Sequence, residues 1–179
     1  MKNLIVYFIF RVFTFLVNIL PDKIRYYLAK GFGKLAYSLT KSRQKIAECN
    51  IKNALGDEIS NEEVNELITS VYENLGFMLV EFLLLQKIDE SNYDSFVDVE
   101  GYKNLKEAFE KGKGVILYSA HFGNWEWLAA FISLMGYPVN AIAQEQHNPY
   151  FDRYINQLRE DKGINVVKLG SSIRKIYSK

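Results

Sequence analysis

The chain has 179 residues, a formal net charge of +1 and a 49% share of apolar and aromatic residues. This length is enough for one principal domain with a buried core. The near-neutral charge argues against nucleic-acid binding, and the single cysteine, Cys49, excludes a disulfide framework and a cysteine-rich zinc site. We expect Cys49 to be a small buried residue on a helix.

The first predicted element is an apolar and aromatic segment over residues 4–20. Its length of about 17 residues is the minimum for a membrane span. Arg11 lies near the middle, where a charge is costly, so a spanning helix and a tilted or interfacial helix are both open. No small-residue cleavage site of a signal peptide follows. We therefore predict a retained membrane anchor over residues 1–21.

A basic segment follows the anchor, over residues 23–52, with Glu48 as its opposing charge. A cluster of this kind can hold a protein against anionic lipid headgroups, or it can be a solvated helix face. Aromatic residues interleaved with the bases favour the membrane surface, with the basic side facing the cytoplasm. The bases are Lys23, Arg25, Lys30, Lys34, Lys41, Arg43, Lys45 and Lys52.

Three helices are predicted next, over residues 24–39, 42–54 and 61–86. The third begins with Ser60-x-x-Glu63, the pattern of a capping box. Residues 77–85 are apolar nearly all round, which favours a core helix over a lipid-facing groove.

From residue 96 onward, strand and helix patterns alternate, which indicates an α/β architecture. A helix just begun over residues 173–177 would normally lead to another parallel strand, so we expect the chain to be the N-terminal part of a longer protein. The predicted strands are 96–99, 114–119, 139–143 and 164–168, and the predicted helices are 103–111, 124–135 and 149–162.

The stretch from His121 to Glu126 follows the predicted strand 114–119, which reads as covered on both faces. Ligand sites gather at the carboxyl ends of parallel strands. On one continuous helix these two residues would lie about 140° apart, so they can meet only across a turn, for which Gly123 supplies the backbone freedom. A catalytic dyad is one interpretation. An ordinary strand-end histidine beside an ordinary early-helix acid is the other.

The His-x4-Glu pattern resembles the hallmark of the lysophospholipid-acyltransferase-like superfamily. Within it, the chain resembles the bacterial lipid A biosynthesis acyltransferase family, the lauroyl and myristoyl transferases, over essentially its whole length. One departure is Gln144, where many relatives carry an arginine. The segments that follow the family's order are Arg43 to Ile51, Val99-Glu100-Gly101, Gly112 to Ile116, Asn148-Pro149 and Arg159 to Gly163.

The resemblance implies N-terminal membrane-associated helices followed by an incomplete glycerolphosphate-acyltransferase-like αβ sandwich. The anchor would be residues 1–21 and the acyltransferase domain residues 22–179, with helices over 22–90 and an α/β part over 91–179. The implied reaction moves a fatty acyl chain from a thioester, on acyl carrier protein or coenzyme A, to a hydroxyl of a glycolipid such as a lipid A precursor. It would take place on the cytoplasmic face of the inner membrane.

In that reaction His121 would be the general base and Glu126 would orient its imidazole. Backbone N–H groups around Gly123 and Asn124, or the cation of Arg159, would stabilise the oxyanion. The resemblance assigns substrate or carrier contact to Arg159. Asn124 and Arg153 are further candidate substrate contacts, although Arg153 can equally be a charge that only keeps the helix soluble. We expect no cofactor, and His121 and His147 lie far from any metal-ligand spacing, so we expect no metal. Two other functions stay open, an inactive membrane-bound interaction module and an acyl thioesterase. Lys162, near Arg159, is interpreted as a solvent-exposed charge.

Overall fold

The computed structural model describes residues 2–56 and 59–170, and within these ranges it is mostly helical. The predicted helix over 173–177 lies outside the described residues. Short 3₁₀ turns occur at Leu85–Lys87 and Tyr93–Ser95. In chain order the helices and strands are α1 (Lys2–Ile19), α2 (Asp22–Leu39), α3 (Lys41–Leu55), α4 (Asn61–Leu84), α5 (Tyr102–Glu110), α6 (Trp125–Leu134), β1 (Val139–Ala143), α7 (Pro149–Glu160) and β2 (Ile164–Lys168).

The chain divides into two compact units. The first unit contains residues 8–84, and its described residues form helices and the short turns between them. The second contains residues 2–7 together with the described chain from residue 85 onward, including both strands.

In the helical unit, α2 and α4 pack closely at two glycines. A Cβ atom built on Gly76 would lie 2.0 Å from the carbonyl oxygen of Ala29, and one on Gly33 would lie 2.5 Å from that of Tyr72. Only hydrogen atoms at these two positions let the backbones approach so closely. One hydrophobic cluster joins α1, α2 and α4, through Val17, Ala29, Val80 and Leu83.

We predict that Gly76→Ala destabilises this unit, while Gly31→Ala on the same helix pair does not. The added methyl group at Gly76 meets backbone atoms that cannot move aside, which costs about 1–3 kcal/mol or more. At Gly31 no atom lies within 4 Å of the new Cβ, so alanine's helix propensity should raise stability by about 0.5–1 kcal/mol. Urea unfolding followed by circular dichroism measures both changes. Equal stability of the two variants would contradict the close approach.

Helix starts were the most predictable local feature. The backbone N–H of Ser60 donates to Oε2 of Glu63 at 2.9 Å, and the N–H of Glu63 donates to Oγ of Ser60 at 3.2 Å, which confirms the capping box. The structure also confirms the three predicted helices over 24–39, 42–54 and 61–86, to within two residues at each end. Val80 and Leu83 are buried, which confirms a core role for this part of α4.

Several large apolar side chains of α1 are mostly exposed among the described residues. Phe8 is 68% exposed, Phe15 64% and Ile19 60%, whereas the buried residues of the helix are Thr14 and Val17. Within the described residues, two segments are long and apolar enough to cross a membrane by length and composition, Lys2–Ile19 and Asn61–Lys87. An exposed apolar stripe of this size fits a lipid environment better than water.

Cys49 lies on α3 and is exposed. The expectation that it is buried is therefore wrong. The reason is that α3 is a peripheral helix on which no described residue is fully buried.

The second unit contains a two-stranded parallel sheet. Val139 pairs with Ile164 and Ala143 with Lys168, and α7 forms the crossover between the strands. The bounds predicted for these strands, 139–143 and 164–168, are confirmed. So are the helices predicted over 103–111, 124–135 and 149–162, again to within two residues.

The predicted strands 96–99 and 114–119 are wrong, since both segments lack strand pairing. Ile116 is 96% exposed and Tyr118 is fully exposed, so the run is not covered on both faces. A strand exists only where a second backbone meets its N–H and C=O groups. In the described part of the chain, β1 and β2 pair only with each other.

Candidate active site

The stretch from His121 to Glu126 forms a turn that leads into α6. Gly123 has a φ of +58°, in the left-handed region that glycine adopts readily. Asn124 is the N-cap of α6, and its side-chain oxygen accepts the backbone N–H of Trp127 at 3.2 Å. Glu126 consequently lies in the first helical turn, as its sequence position predicts.

Glu126 is held by Arg159 in a two-point ion pair. Nε of Arg159 donates to Oε2 at 2.9 Å, and Nη2 donates to Oε1 at 2.5 Å. The side chains are 16% exposed for Arg159 and 18% for Glu126, so little water competes for the pair. This fork fixes the carboxylate in both position and plane.

His121 lies beside Trp125, with 4.3 Å between the ring centroids, and its side chain is exposed. Among the hydrogen bonds of the described residues, those of the Glu126 carboxylate run to Arg159 and none joins it to His121. The two residues thus share one turn, but the carboxylate is oriented by the guanidinium. Their catalytic roles stay predictions.

Arg159 belongs to a row of polar side chains along one face of α7. Nη1 of Arg159 donates to Oδ1 of Asn156 at 3.2 Å, and Nδ2 of Asn156 donates to Oδ2 of Asp152 at 3.2 Å. The other oxygen of Asp152 accepts the backbone N–H of Gln146 at 2.8 Å. Sequence reasoning missed Asp152 and Asn156, although residues seven and three positions before Arg159 lie on the same helical face.

The other predicted substrate contacts occupy different positions. Arg153 is exposed on α7 and, among the described residues, forms no ion pair. It lies six residues before Arg159, about 120° around the helix. Asn148 caps α7 ahead of Pro149 by accepting the N–H of Tyr150 at 3.0 Å.

Lys162 is buried at 8% exposure, so its interpretation as a solvent-exposed charge is wrong. Its Nζ donates to the carbonyl oxygen of Ile88 at 2.5 Å. Burial lowers the pKa of the Lys162 ammonium, while Asp161 and Asp89 oppose that change. The turn between α7 and β2 carries this lysine inward, where it bonds a segment 74 residues away in the chain.

An apolar cavity of about 520 Å³ opens beside the cap of α6. This volume is within the range of roughly 300–1,000 Å³ that is typical of small-molecule pockets. Its lining includes the cap residue Asn124, then Trp127, Leu128 and Phe131 of α6, and Leu117 from the segment before His121. The unit therefore combines a titratable imidazole, a fixed carboxylate and an apolar cavity along one short stretch of chain.

The sequence is similar to two acyltransferases of lipid A biosynthesis. A palmitoleoyltransferase of lipid A biosynthesis from Escherichia coli K12 is 31% identical over 107 residues, which is 60% of this chain and 35% of that protein. A lipid A biosynthesis lauroyltransferase from the same organism is 27% identical over 137 residues, which is 76% of this chain and 44% of that protein. The chain thus spans less than half the length of these relatives. No solved structure matches.

The match to the family as a whole covers more of the chain than the match to either relative. The sequence model of the family described as bacterial lipid A biosynthesis acyltransferase matches residues 1–179. Because that match covers the full sequence, the chain belongs to the bacterial lipid A biosynthesis acyltransferase family.

Proposed function

We propose that the protein transfers a fatty acyl chain from a thioester, carried by acyl carrier protein or coenzyme A, to a hydroxyl of a glycolipid of the lipid A type. The observation that carries this proposal is the fixed Glu126 carboxylate on the turn that bears His121, beside an apolar cavity. Family membership supports the reaction class, since the relatives described above are named acyltransferases of lipid A biosynthesis.

In the proposed mechanism, His121 accepts the proton of the acceptor hydroxyl. The hydroxyl oxygen attacks the thioester carbonyl carbon and forms the new C–O bond. The tetrahedral intermediate then breaks its C–S bond, and the departing thiolate takes the proton from the imidazolium. General-base catalysis of this kind typically accelerates a reaction by about 10² to 10⁴.

The negative charge of Glu126 would stabilise the imidazolium as it forms. The oxyanion would be met by backbone N–H groups near Gly123 and Asn124, at the N-terminus of α6. Arg159 has five N–H donors, of which three are used by Glu126 and Asn156. Among the described residues two donors are therefore left, with which Arg159 could contact substrate.

We further propose that the acyl chain enters the apolar cavity, with Asn124 at its lining and exposed Arg153 as a contact for an anionic part of the substrate or carrier. The domain division stays as the sequence predicts it, an anchor over 1–21 and an acyltransferase domain over 22–179. The αβ sandwich of that domain is likewise a proposal.

The location we propose is the cytoplasmic face of the inner membrane. The exposed apolar face of α1 supports membrane association, and the bases over 23–52 would meet anionic headgroups. Phe15→Glu puts a charge on that face and is expected to reduce binding to vesicles of phosphatidylethanolamine and phosphatidylglycerol at least about tenfold. Asn104→Glu, at an exposed polar position of α5 outside the basic segment, is the control. Unchanged sedimentation of both variants with vesicles would contradict the assignment of α1.

The reaction is tested with purified protein, a radiolabelled acyl thioester and a lipid A precursor as acceptor. We expect label in the glycolipid, separated by thin-layer chromatography. The absence of any labelled product would contradict the proposed function.

A second candidate function is thioester hydrolysis. It is favoured by one observation, the exposure of His121, since an imidazole that water reaches can activate water as readily as an alcohol. In the same assay a hydrolase gives labelled free fatty acid alone, whether or not the acceptor is present. A transferase gives labelled glycolipid in proportion to the acceptor supplied.

A further inference from the structure

The carboxylate of Glu126 stands at the end of a continuous series of hydrogen bonds that begins in the loop between β1 and α7. The series runs from the backbone N–H of Gln146 to Asp152, then through Asn156 and Arg159 to Glu126. Asp152, Asn156 and Arg159 are four and three residues apart on α7, so one helical face presents all three. We call these three residues the α7 polar row.

The order of donors and acceptors in this row is forced by chemistry. An ionised Asp152 only accepts hydrogen bonds, so the amide of Asn156 must turn its NH₂ group toward that carboxylate. The carbonyl oxygen of Asn156 must then face Arg159, whose guanidinium only donates. Asp152 thereby selects the amide orientation that Arg159 requires, and a flipped amide would set donor against donor.

This arrangement restrains the guanidinium of Arg159. An arginine side chain has several rotatable bonds, and a guanidinium held only by Glu126 could swing together with the carboxylate. The bond from Nη1 to Asn156 ties the guanidinium to its own helix, one turn earlier. Asn156 and Arg159 both keep some contact with water, so packing alone does not enclose the fork and the row adds a restraint to it.

We propose that Asn156, oriented by Asp152, is a positioning residue that fixes Arg159 and through it the Glu126 carboxylate. Asn156 touches neither the carboxylate nor His121. It acts on the reaction only through the guanidinium. The consequence for catalysis rests on the proposed function, whereas the restraint on Arg159 does not.

The restraint is measured first, without any assay of activity. The chain has six arginines, so a spectrum of the full protein labelled with ¹⁵N-arginine is simple, and Arg159→Lys identifies the Nε–H signal of Arg159 by its loss. We expect Asn156→Ala to speed exchange of this Nε–H with water at least about tenfold, because the fork then opens more often. Gln157→Ala is the matched control, since its side chain bonds Asp161 on another face of α7. An unchanged exchange rate in Asn156→Ala overturns the proposal.

Asp152→Asn is a second test, and it decides the proposal if Asn156→Ala does not fold. Asparagine has the size of aspartate but can also donate a hydrogen bond, so the Asn156 amide is free to flip. We therefore expect faster exchange of the Arg159 Nε–H in this variant as well. Equal rates in Asp152→Asn and the parent protein would mean that Asp152 does not orient the amide, which contradicts the series.

The catalytic consequence is measured in the acyl-transfer assay. Asn156→Ala is expected to lower kcat about tenfold or more with KM unchanged within about twofold, as a displaced carboxylate affects the transition state rather than substrate binding. Gln157→Ala should keep both constants. A raised KM with unchanged kcat would identify Asn156 as a substrate contact instead. A parent protein without transfer activity would contradict the proposed function alone, because the exchange measurement still decides the positioning role.

Discussion

Replacing His121 with alanine is expected to lower the rate of acyl transfer by about 10² to 10⁴ while the protein remains folded. The rate falls because the acceptor hydroxyl loses the group that takes its proton. The fold persists because the side chain is exposed and its ring contact is with Trp125 at the surface turn. The measurement is the initial rate of glycolipid labelling, with circular dichroism as the check on folding.

His147 provides the matched control for this prediction. It is the other histidine of the chain, and it is also exposed, in the loop before α7. His147→Ala should transfer acyl groups at the parent rate. Equal rates for the His121 and His147 variants would remove His121 from the mechanism.

Replacing Arg159 with methionine is expected to have the second large effect, a loss of stability of roughly 3 kcal/mol together with a loss of transfer activity. The stem of methionine fills a similar space, but Glu126 then remains a largely buried carboxylate without its two donors. The value is at the low end for a broken buried pair, because both side chains keep some contact with water. Urea unfolding monitored by tryptophan fluorescence measures the change.

Two further variants test whether the loss of stability comes from the unpaired charge of Glu126 or from the change of side chain itself. Adding Glu126→Gln to Arg159→Met removes the unpaired charge, so we expect the double variant to regain part of the lost stability without regaining activity. Arg153→Met changes an exposed arginine of the same helix and should shift stability by less than about 0.5 kcal/mol. A double variant less stable than Arg159→Met alone would contradict the account of the pair.

Local sequence signals determined most of the helices. Capping residues mark where a helix begins. Three of the predicted helix starts are occupied by such a residue in the structure, namely Ser60, Asn124 and Asn148. Strands were less predictable, because pairing depends on a distant backbone. The run 114–119 has the composition of a buried strand, yet it lies exposed and unpaired among the described residues, whereas 139–143 and 164–168 pair as predicted.

In the candidate site, too, features set by neighbouring residues were predictable, whereas contacts between residues far apart in the chain were not. The sequence pattern identified His121 and Glu126 as residues of interest, the family resemblance added Arg159, and the turn at Gly123 follows from its position. The pairing of Glu126 with Arg159, 33 residues later in the chain, depends on how α6 and α7 each pack on the β1–β2 sheet and could not be read from spacing. The burial of Lys162 was hidden for the same reason, since its partner Ile88 is 74 residues away.

Chemical rescue tests the central claim most directly, because a missing general base can be supplied from solution. In the His121→Ala variant, added imidazole is predicted to restore labelling of the glycolipid in proportion to its concentration, and to leave the parent enzyme unchanged. The exposed position of His121 gives a small base access to the turn. A variant that transfers acyl groups at the parent rate without imidazole, or one that stays inactive at every concentration, would contradict the assignment of His121 as the base.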